Sequence, residues 1–327
     1  MTPIFRLACL TLLCGAAAAV AERPVATYSI VARDPGSGEL GVAVQSHWFS
    51  VGSLVPWAEA GVGAVATQSF VDPTYGPLGL ALLRSGKSAH EALAALLAAD
   101  RQADVRQLAI LDAQGRVAVH TGKRCIAFAG HLVGTEMAVQ ANLMDNPGVW
   151  PAMKAAFESS SGDLAERLLA ALQAAERAGG DIRGRQSAAL LVVRPTGSGR
   201  PWEDRRFDLR VEDHPEPVSE LRRLTTLARA YEHMNRGDER AAAGEWAQAT
   251  SDYAAATALA PGIVELPFWH AVALAAAGKV EQARPLFEQV FAREPRWREV
   301  VPRLPAAGLL PEDPALFAAL GLAPAGR

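Results

Sequence analysis

The pattern of apolar and polar positions after residue 26 begins with two β-rich runs. Residues 27–33 and 39–46 are rich in residues that favour strands, and the Pro- and Gly-rich segment 34–38 separates them. This arrangement predicts a hairpin. Residues 62–68 predict a third strand, rich in Gly, Ala and Val, whose small side chains would let another layer approach closely.

Further along, helical and strand patterns alternate in blocks. Helices are predicted at 79–85, at 89–99 with Ser88 as N-cap, at 151–159, and at 164–178, where Gly179 and Gly180 end the helix. Strands are predicted at 105–112, 116–121, 137–141, 187–194 and 206–211. Hairpins occur where parallel crossovers would otherwise stand. The order therefore favours an α+β fold with helices packed on antiparallel sheets, not a doubly wound parallel sheet.

The C-terminal third of the chain repeats with a period of 34 residues. Six positions keep this spacing, with small, aromatic, small and proline residues in order: Gly237 and Ala271, Gly244 and Gly278, Ala249 and Ala283, Tyr253 and Phe287, Ala256 and Val290, Pro261 and Pro295. That period and pattern predict tetratricopeptide-like helical hairpins. Because a stable stack needs about three units, residues 221–231 and 316–320 are predicted as flanking or capping helices.

Two interpretations of this helical array stay open. An array of this kind commonly docks a peptide or another protein. The alternative is a helical appendage packed on the preceding domain or at a contact between copies of the chain. We therefore expect three segments: a signal peptide at 1–21, an α+β domain at 27–217 and the array at 218–327.

The N-terminus carries the pattern of a secretory signal. One basic residue, Arg6, precedes an apolar run at 7–13, and Ala19-Val20-Ala21 forms an A-x-A cleavage site. The apolar run is shorter than the roughly 20 residues that a membrane span needs. We expect an exported protein, periplasmic or secreted, that has lost residues 1–21.

Composition narrows the classes of partner. The formal net charge of -3 becomes -4 once Arg6 is removed, so neither nucleic acid nor an anionic membrane is favoured as a partner. Cys125 is the one cysteine beyond the signal segment, which excludes an intramolecular disulfide. His47, His120 and His131 lack metal-ligand spacing, and no phosphate-binding loop is present. We expect neither a metal nor a cofactor.

Several motifs occur together in the first domain: residues 27–34, 41–44, 55–58, 60–68, 180–187 and 208–211. In this order they resemble the domain of unknown function 1028 family, over residues 27 to about 217. That family is grouped with the N-terminal-nucleophile hydrolases. The resemblance implies a four-layer αββα sandwich. It implies no particular substrate.

The same resemblance implies a mechanism centred on Thr27. In the superfamily an N-terminal Thr, Ser or Cys attacks an acyl carbon, and its freed α-amine serves as the base. Thr27 opens the first predicted strand, but it could act only after a cut between Ala26 and Thr27. Cleavage after Ala21 alone would leave residues 22–26 attached, so a second trimming or a self-cleavage step would be needed.

Candidate supporting residues follow from position and resemblance. Strand alternation places Ser29 on the same face as Thr27, and Gln68 and Asn142, at strand ends, could donate to an oxyanion. Asp181 and Ser187 resemble the acid and hydroxyl that orient the amine in proteasome-type members. Residues 41–69 contain no lysine, which departs from the proteasome-type pattern of a Lys beside the nucleophile.

Two classes of function thus remain open from the sequence. One is an amidohydrolase that uses Thr27 on a small amide or peptide of unknown identity. The other is a non-catalytic exported module that works by binding. The mature N-terminus distinguishes them.

Overall fold

The computed structural model describes residues 25–321. The predicted signal peptide at 1–21 lies outside these residues. The strands are β1 Thr27–Arg33, β2 Leu40–Ser46, β3 Pro56–Glu59, β4 Gly63–Ser69, β5 Arg106–Asp112, β6 Val117–Thr121, β7 Gly130–Gly134, β8 Met137–Ala141, β9 Ser187–Val193 and β10 Arg205–Val211. The helices are α1 Tyr75–Arg84, α2 Ala89–Ala99, α3 Val149–Ser159, α4 Leu164–Arg177, α5 Pro201–Asp204, α6 Pro217–Ala242, α7 Trp246–Leu259, α8 Glu265–Ala276, α9 Val280–Arg293 and α10 Pro314–Ala319.

The strands form two antiparallel sheets. A six-stranded sheet has the order β10-β9-β2-β1-β8-β7, and a four-stranded sheet has the order β3-β4-β5-β6. The predicted 27–46 hairpin is confirmed, with Thr27 opposite Ser46 and Arg33 opposite Leu40. All strand pairs in the two sheets are antiparallel, as expected for an α+β fold.

Three apolar clusters hold this region together. One lies between the two sheets and includes Val42, Val44 and Ala64. A second joins α1 and α2 to the four-stranded sheet. The third joins α3 and α4 to the outer face of the six-stranded sheet. Each sheet therefore has one face against the other sheet and one face covered by helices.

Small residues permit the close approach of these layers. A Cβ added at Gly63 on β4 would lie 2.4 Å from Leu83 Cδ1 of α1 and 2.5 Å from the carbonyl oxygen of Leu111. A Cβ at Gly41 on β2 would lie 2.7 Å from Leu168 Cδ1 of α4. Strand glycines thus mark the places where helices sit directly on the sheets.

The predicted helix boundary at Ser88 is confirmed in detail. The Ser88 hydroxyl accepts from the amide of Glu91, and the Glu91 carboxylate accepts from the amide of Ser88, a complete capping box. Other boundaries differ from the sequence prediction. Helix α1 begins at Tyr75, and the sequence patterns did not predict β3 or β7. Strand β3 has only four residues, too few to show a clear alternation. Strand β7 begins and ends with glycine, a residue that is depleted in strands.

Helices make up the C-terminal region. Helix α6 pairs with α7 and α8 pairs with α9, and the two members of each sequence pair occupy equivalent places. Gly244 and Gly278 take positive φ angles of 80° and 74° in the turns that precede α7 and α9. Tyr253 and Phe287 are both fully buried, as are the other paired positions in the same helices, Ala249 and Ala256 in α7 and Ala283 and Val290 in α9.

Helix α6 connects the two regions. Its first turns carry Val218 and Leu221 into the apolar cluster of the six-stranded sheet. Ala230 and Met234, further along, belong to the cluster shared with α7. Arg229 of α6 also binds Asp163 at 2.8 Å, at the start of α4. The predicted domain boundary at 217 therefore coincides with the start of a helix that packs on both regions.

Candidate active site at Thr27

Thr27 lies at the start of a central strand, with its side chain in the space between the two sheets. Neighbouring strands β2 and β8 flank β1 on either side, and Thr27 has no solvent exposure. Its hydroxyl lies 2.8 Å from the carbonyl oxygen of Val25 and 3.2 Å from Oγ of Ser46. Ser46 faces Thr27 because the two residues are directly opposite in the β1–β2 register.

Two donors converge on the peptide bond that precedes Thr27. The carbonyl oxygen of Ala26 accepts a hydrogen bond from the hydroxyl of Ser46. It accepts another from Nη2 of Arg183, at 3.0 Å. One donor carries a positive charge, and the Arg183 side chain is 29% exposed, so this end of the sheet interface is in contact with solvent. The arrangement polarises the Ala26 carbonyl group.

The two residues before Thr27 are enclosed by the rest of the fold. Val25 and Ala26 have no solvent exposure. The amide of Val25 donates to the carbonyl of Ser69 at 2.6 Å, and the amide of Ser69 donates back at 3.1 Å. This bridge joins the chain ahead of β1 to the last residue of β4 in the other sheet. Ser69 has a φ of 72°, an uncommon left-handed conformation for a residue with a side chain.

The carbonyl oxygen of Thr27 is held by Gln68 and Asn142, two of the residues predicted from the sequence. It accepts from Nε2 of Gln68 at 3.1 Å and from the backbone amide of Asn142 at 3.0 Å. Ser29 donates to Oε1 of Gln68 at 2.6 Å and reaches Thr27 only through that side chain. Ser29, Gln68 and Asn142 thus meet around Thr27, but on its carbonyl and not on its hydroxyl.

Gln107 is the centre of this buried polar network. Its Oε1 accepts from Gln68 at 2.7 Å and from Asn142 at 2.9 Å. Its Nε2 donates to the hydroxyl of Thr121 at 2.9 Å and to the carbonyl oxygens of Gly130 and Ala141. A single amide therefore satisfies groups from both sheets at the end of the interface where Thr27 lies.

Asp181 and Ser187 contact other groups. The buried carboxylate of Asp181 binds Nη2 of Arg183 at 2.8 Å and accepts from the amide of His47 at 3.2 Å. Ser187 accepts from the amide of Val51 at 3.1 Å and donates to the carbonyl of Trp48. In this chain, with residues 25 and 26 in place, neither side chain touches Thr27. Asp181 is linked to the Ala26 carbonyl through Arg183, whose guanidinium it binds.

Sequence reasoning missed Ser46, Arg183 and Gln107. It also missed Gln140 of β8, whose Nε2 donates to the hydroxyl of Ser29 at 3.3 Å and to the carbonyl of Ala66 at 2.9 Å. Gln107 and Gln140 had a visible signal, because each is a glutamine inside an otherwise apolar strand. Ser46 closes its strand and looked like an ordinary boundary residue. Arg183 lies in a charged turn and contacts Ala26 across 157 positions of sequence. Arg183 brings a positive charge to this site, whereas residues 41–69 contain no lysine.

Two further reactive side chains, Cys125 and His131, lie outside the hydrogen bonds described for Thr27. Burial raises the pKa of the Cys125 thiol, which lies 3.3 Å from the carbonyl of Arg106 and is disfavoured as a thiolate. Burial, and then the charge of His120, lower the pKa of His131.

Among residues 25–321 no group of His, Cys, Asp and Glu could hold a metal ion. Within the same residues, no helix has both the length and the apolar character needed to cross a membrane.

Comparison with known proteins gives a family and a solved relative. A family model described as a family of unknown function, DUF1028, matches residues 27–221. A crystal structure of a protein from Silicibacter pomeroyi, assigned to the same family, is 32% identical. Its match covers 62% of this chain and 86% of that one, with a TM-score of 0.56.

A weaker structural similarity links the chain to Anbu, an ancestral β-subunit from Yersinia bercovieri, at 15% identity and a TM-score of 0.30. That match covers 60% of this chain and 91% of the other. No curated protein matches. The family match spans more than half of the chain and contains every residue of the Thr27 site from Thr27 onward. The chain therefore belongs to the DUF1028 family of unknown function.

Proposed function

We propose that this protein is an exported N-terminal-nucleophile amidohydrolase that uses Thr27 as its nucleophile. The observation that carries the proposal is the pair of donors, Ser46 and Arg183, on the carbonyl oxygen of Ala26. A threonine hydroxyl lies beside them, 3.2 Å from Ser46 Oγ. Nucleophile and oxyanion donors are thus gathered at the one peptide bond whose cleavage would free the amine of Thr27.

The contacts support self-cleavage as the processing step. Oγ of Thr27 adds to the carbonyl carbon of Ala26, and negative charge develops on the oxygen that Ser46 and Arg183 bind. The bond from that carbon to the nitrogen of Thr27 then breaks, and the hydroxyl proton passes to the nitrogen. An ester on Thr27 Oγ results. Water hydrolyses it to the carboxylate of Ala26, the free hydroxyl and the free amine.

After processing, the same groups would serve catalysis on a substrate amide. The α-amine of Thr27 has a reference pKa near 8, and the nearby guanidinium of Arg183 would lower that pKa, because like charge disfavours protonation. More of the amine would then be neutral and able to accept the hydroxyl proton. Asp181 holds Arg183 in place, a role that differs from orienting the amine directly.

The layer order supports assigning the first region to the four-layer sandwich of that superfamily. Helices α1 and α2, the four-stranded sheet, the six-stranded sheet, and helices α3 and α4 follow one another, with an apolar cluster at each of the three junctions. Thr27 starts a central strand and faces the junction of the two sheets. This is where a nucleophile that serves as both attacking group and base would be surrounded by donors.

We assign the helical region to a tetratricopeptide-like array, on the equivalent positions of the 34-residue pairs. Because α6 packs on the first region, that helix fits the appendage interpretation. The groove between the hairpins, about 570 Å³ and lined by Trp246, Tyr253 and Trp269, is open to a protein or peptide.

The N-terminus of the exported full-length protein tests the catalytic proposal. We expect mass spectrometry to find Thr27 as the first residue. Thr27→Ser should still be cut, because it keeps a hydroxyl. Thr27→Val, of the same shape, should remain uncut and folded. Ser46→Ala and Arg183→Gln should each slow the cut by about 10²–10³-fold, the usual effect of losing an oxyanion donor.

A wild-type chain that keeps Glu22 as its first residue would contradict the proposal. It would support the alternative, a non-catalytic extracytoplasmic binding module in which residues 22–26 stay in place. Cleavage that continues in Thr27→Val would instead indicate an external protease, and the self-cleavage step would be wrong.

A further inference from the structure

The place occupied by Val25 and Ala26 has the properties of a peptide-binding site. Both residues are fully buried, and three of their backbone atoms form hydrogen bonds with the rest of the fold: the Val25 nitrogen, the Val25 oxygen and the Ala26 oxygen. Val25 exchanges two hydrogen bonds with Ser69, and the Ala26 carbonyl is held by Ser46 and Arg183. Processing would remove both residues and leave these partners without a ligand.

β3 leaves its side of β4 unpaired at Ser69 by a strand of the same sheet, because β3 is short. Strand β3 pairs with β4 only from Gly63 to Ala66, while β4 continues to Ser69. On that side the amide and carbonyl of Ser69 bind Val25. An extended peptide is the ligand that offers an amide and a carbonyl with this spacing, as in other cases of strand addition.

We infer that the substrate is a peptide whose acyl side binds as Val25 and Ala26 do, with a small residue at the cleaved carbonyl and an aliphatic residue before it. This inference rests on the proposed function. Self-cleavage and substrate turnover would pass through the same kind of ester on Thr27 Oγ. The acyl group must therefore occupy the same space in both.

Side-chain size follows from what surrounds the two residues. Val25 belongs to the apolar cluster between the sheets, together with Val51 and Val55, so an aliphatic side chain is expected there. Ala26 has no exposed surface, and a large side chain in its place would have to displace packed groups. A charged residue is disfavoured at the Val25 position, because it would lose its hydration without a partner among the cluster residues.

The test uses the processed chain and three fluorogenic peptide amides: acetyl-Pro-Val-Ala, acetyl-Pro-Val-Phe, and acetyl-Pro-Val-Ala methylated at the valine nitrogen. We expect kcat/KM for the first to exceed that for the second by about tenfold or more. N-methylation should cost about tenfold as well, because it removes the donor to Ser69. The methylated compound changes no residue of the protein, so misfolding cannot explain its effect.

A β-lactone, used as a general acylating probe, distinguishes failure of the substrate inference from failure of the proposed function. If the lactone labels Thr27 but the three peptides react equally or not at all, the substrate inference is overturned and the proposed function stands. If the lactone does not label Thr27, the proposed function fails and the inference fails with it. Labelling together with the expected peptide order supports both.

Discussion

The sheet region and the helical region are stabilised by contacts of very different reach along the chain. Around Thr27 the partners are far apart in sequence: Gln68 lies 41 positions from Thr27, Asn142 lies 115, and Arg183 lies 157 from Ala26. In the α6–α7 hairpin, Tyr253 binds Asp238 across 15 positions and Arg240 binds Asp252 across 12.

This difference explains where chemistry can be built. A helical hairpin brings together residues that are close in sequence, and a repeat of 34 positions copies one packing solution along the chain. Two stacked antiparallel sheets bring together strand ends from the whole first region. Among residues 25–321, only the sheet region gathers buried amides and hydroxyls together with a cation and a carboxylate at one place. The candidate site therefore belongs to the region with the longer-range contacts.

The largest expected effect of a single substitution tests whether the sheet region depends on its polar network. Gln107→Leu removes a side chain that binds Gln68, Asn142 and Thr121 and two backbone carbonyls. Several buried polar groups would be left without partners. We expect the local free energy of opening to fall by about 3–4 kcal/mol.

Native-state hydrogen exchange of β1, β5 and β8 measures this effect region by region. Gln114→Leu is the matched control, because the Gln114 side chain is exposed and takes part in one hydrogen bond, which it accepts from Nη2 of Arg116 at 3.2 Å. It should change stability by less than about 0.5 kcal/mol. Equal protection in the two variants would mean that the network contributes no more than ordinary surface contacts.

The sequence predicted the parts of the site that follow from local pattern. Alternation placed Thr27 and Ser29 on the same face of the strand, and the strand ends included Gln68 and Asn142. It did not predict Ser46 and Arg183 as the donors on Ala26. That pairing requires knowing that β2 lies beside β1 and that the turn after α4 reaches the start of β1. Sheet order is a property of the whole fold, and no short motif encodes it.

The helical region shows the opposite limit. Its period predicted that Gly244 and Gly278, and likewise Tyr253 and Phe287, occupy equivalent places, and both glycines lie in turns with positive φ while both rings are buried. Residues 221–231 were predicted as a separate flanking helix, but they form part of the 26-residue α6. The helix is continuous because nothing in 217–242 interrupts it. Apolar residues in its first turns pack on the six-stranded sheet, and apolar residues in its later turns pack on α7. The 34-residue repeat covers only the later turns, so the repeat alone did not define where the helix begins.

Gly237→Ala sharpens the comparison by testing the packing that the helical region has in place of a polar network. A Cβ at Gly237 would lie 2.5 Å from Cε1 of Tyr253, so the helices must separate slightly. Ala is about 1 kcal/mol better than Gly in a helix, which offsets part of the cost of overpacking. We expect a net destabilisation of about 1–2 kcal/mol, modest because the repeat has alanine, Ala271, at the equivalent position.

Hydrogen exchange in α6 and α7 measures the loss, while exchange in β1 and β5 should stay the same. Gly262→Ala serves as the control. A Cβ at Gly262 meets nothing within 4 Å, so this variant should be neutral to within about 0.5 kcal/mol. If Gly237→Ala weakened both regions equally, the long helix α6 would couple them, and the contrast in contact range would not imply independent stability.

The smallest effect concerns pH, and it again separates the regions. The ring of His270 stacks on Tyr253 with centroids 4.3 Å apart, and its Nε2 has no hydrogen-bond partner among the described residues. Burial lowers the pKa of His270 to about 4 from an ordinary 6.5. Between these values the unfolded chain takes up a proton that the folded chain does not, so stability rises with pH across that window. The neutral His270 ring therefore costs the fold no stability above pH 6.5, and the free energy of unfolding decreases as the pH falls from 6.5 toward 4.

Because the ring is partly exposed, we expect only about 1 kcal/mol of difference between pH 7.5 and pH 5. Exchange in α7 and α8 measures it at the two pH values, after correction for the intrinsic rates. His270→Phe keeps an aromatic ring against Tyr253 but cannot titrate, so it should abolish the His270 share of the pH dependence while leaving the stability at pH 7.5 nearly unchanged. A pH dependence in α7 and α8 that survives in His270→Phe would mean that another group carries it. Asp252 binds His233 and Arg240 in the α6–α7 hairpin, and these charged residues would then be the next candidates for the pH dependence.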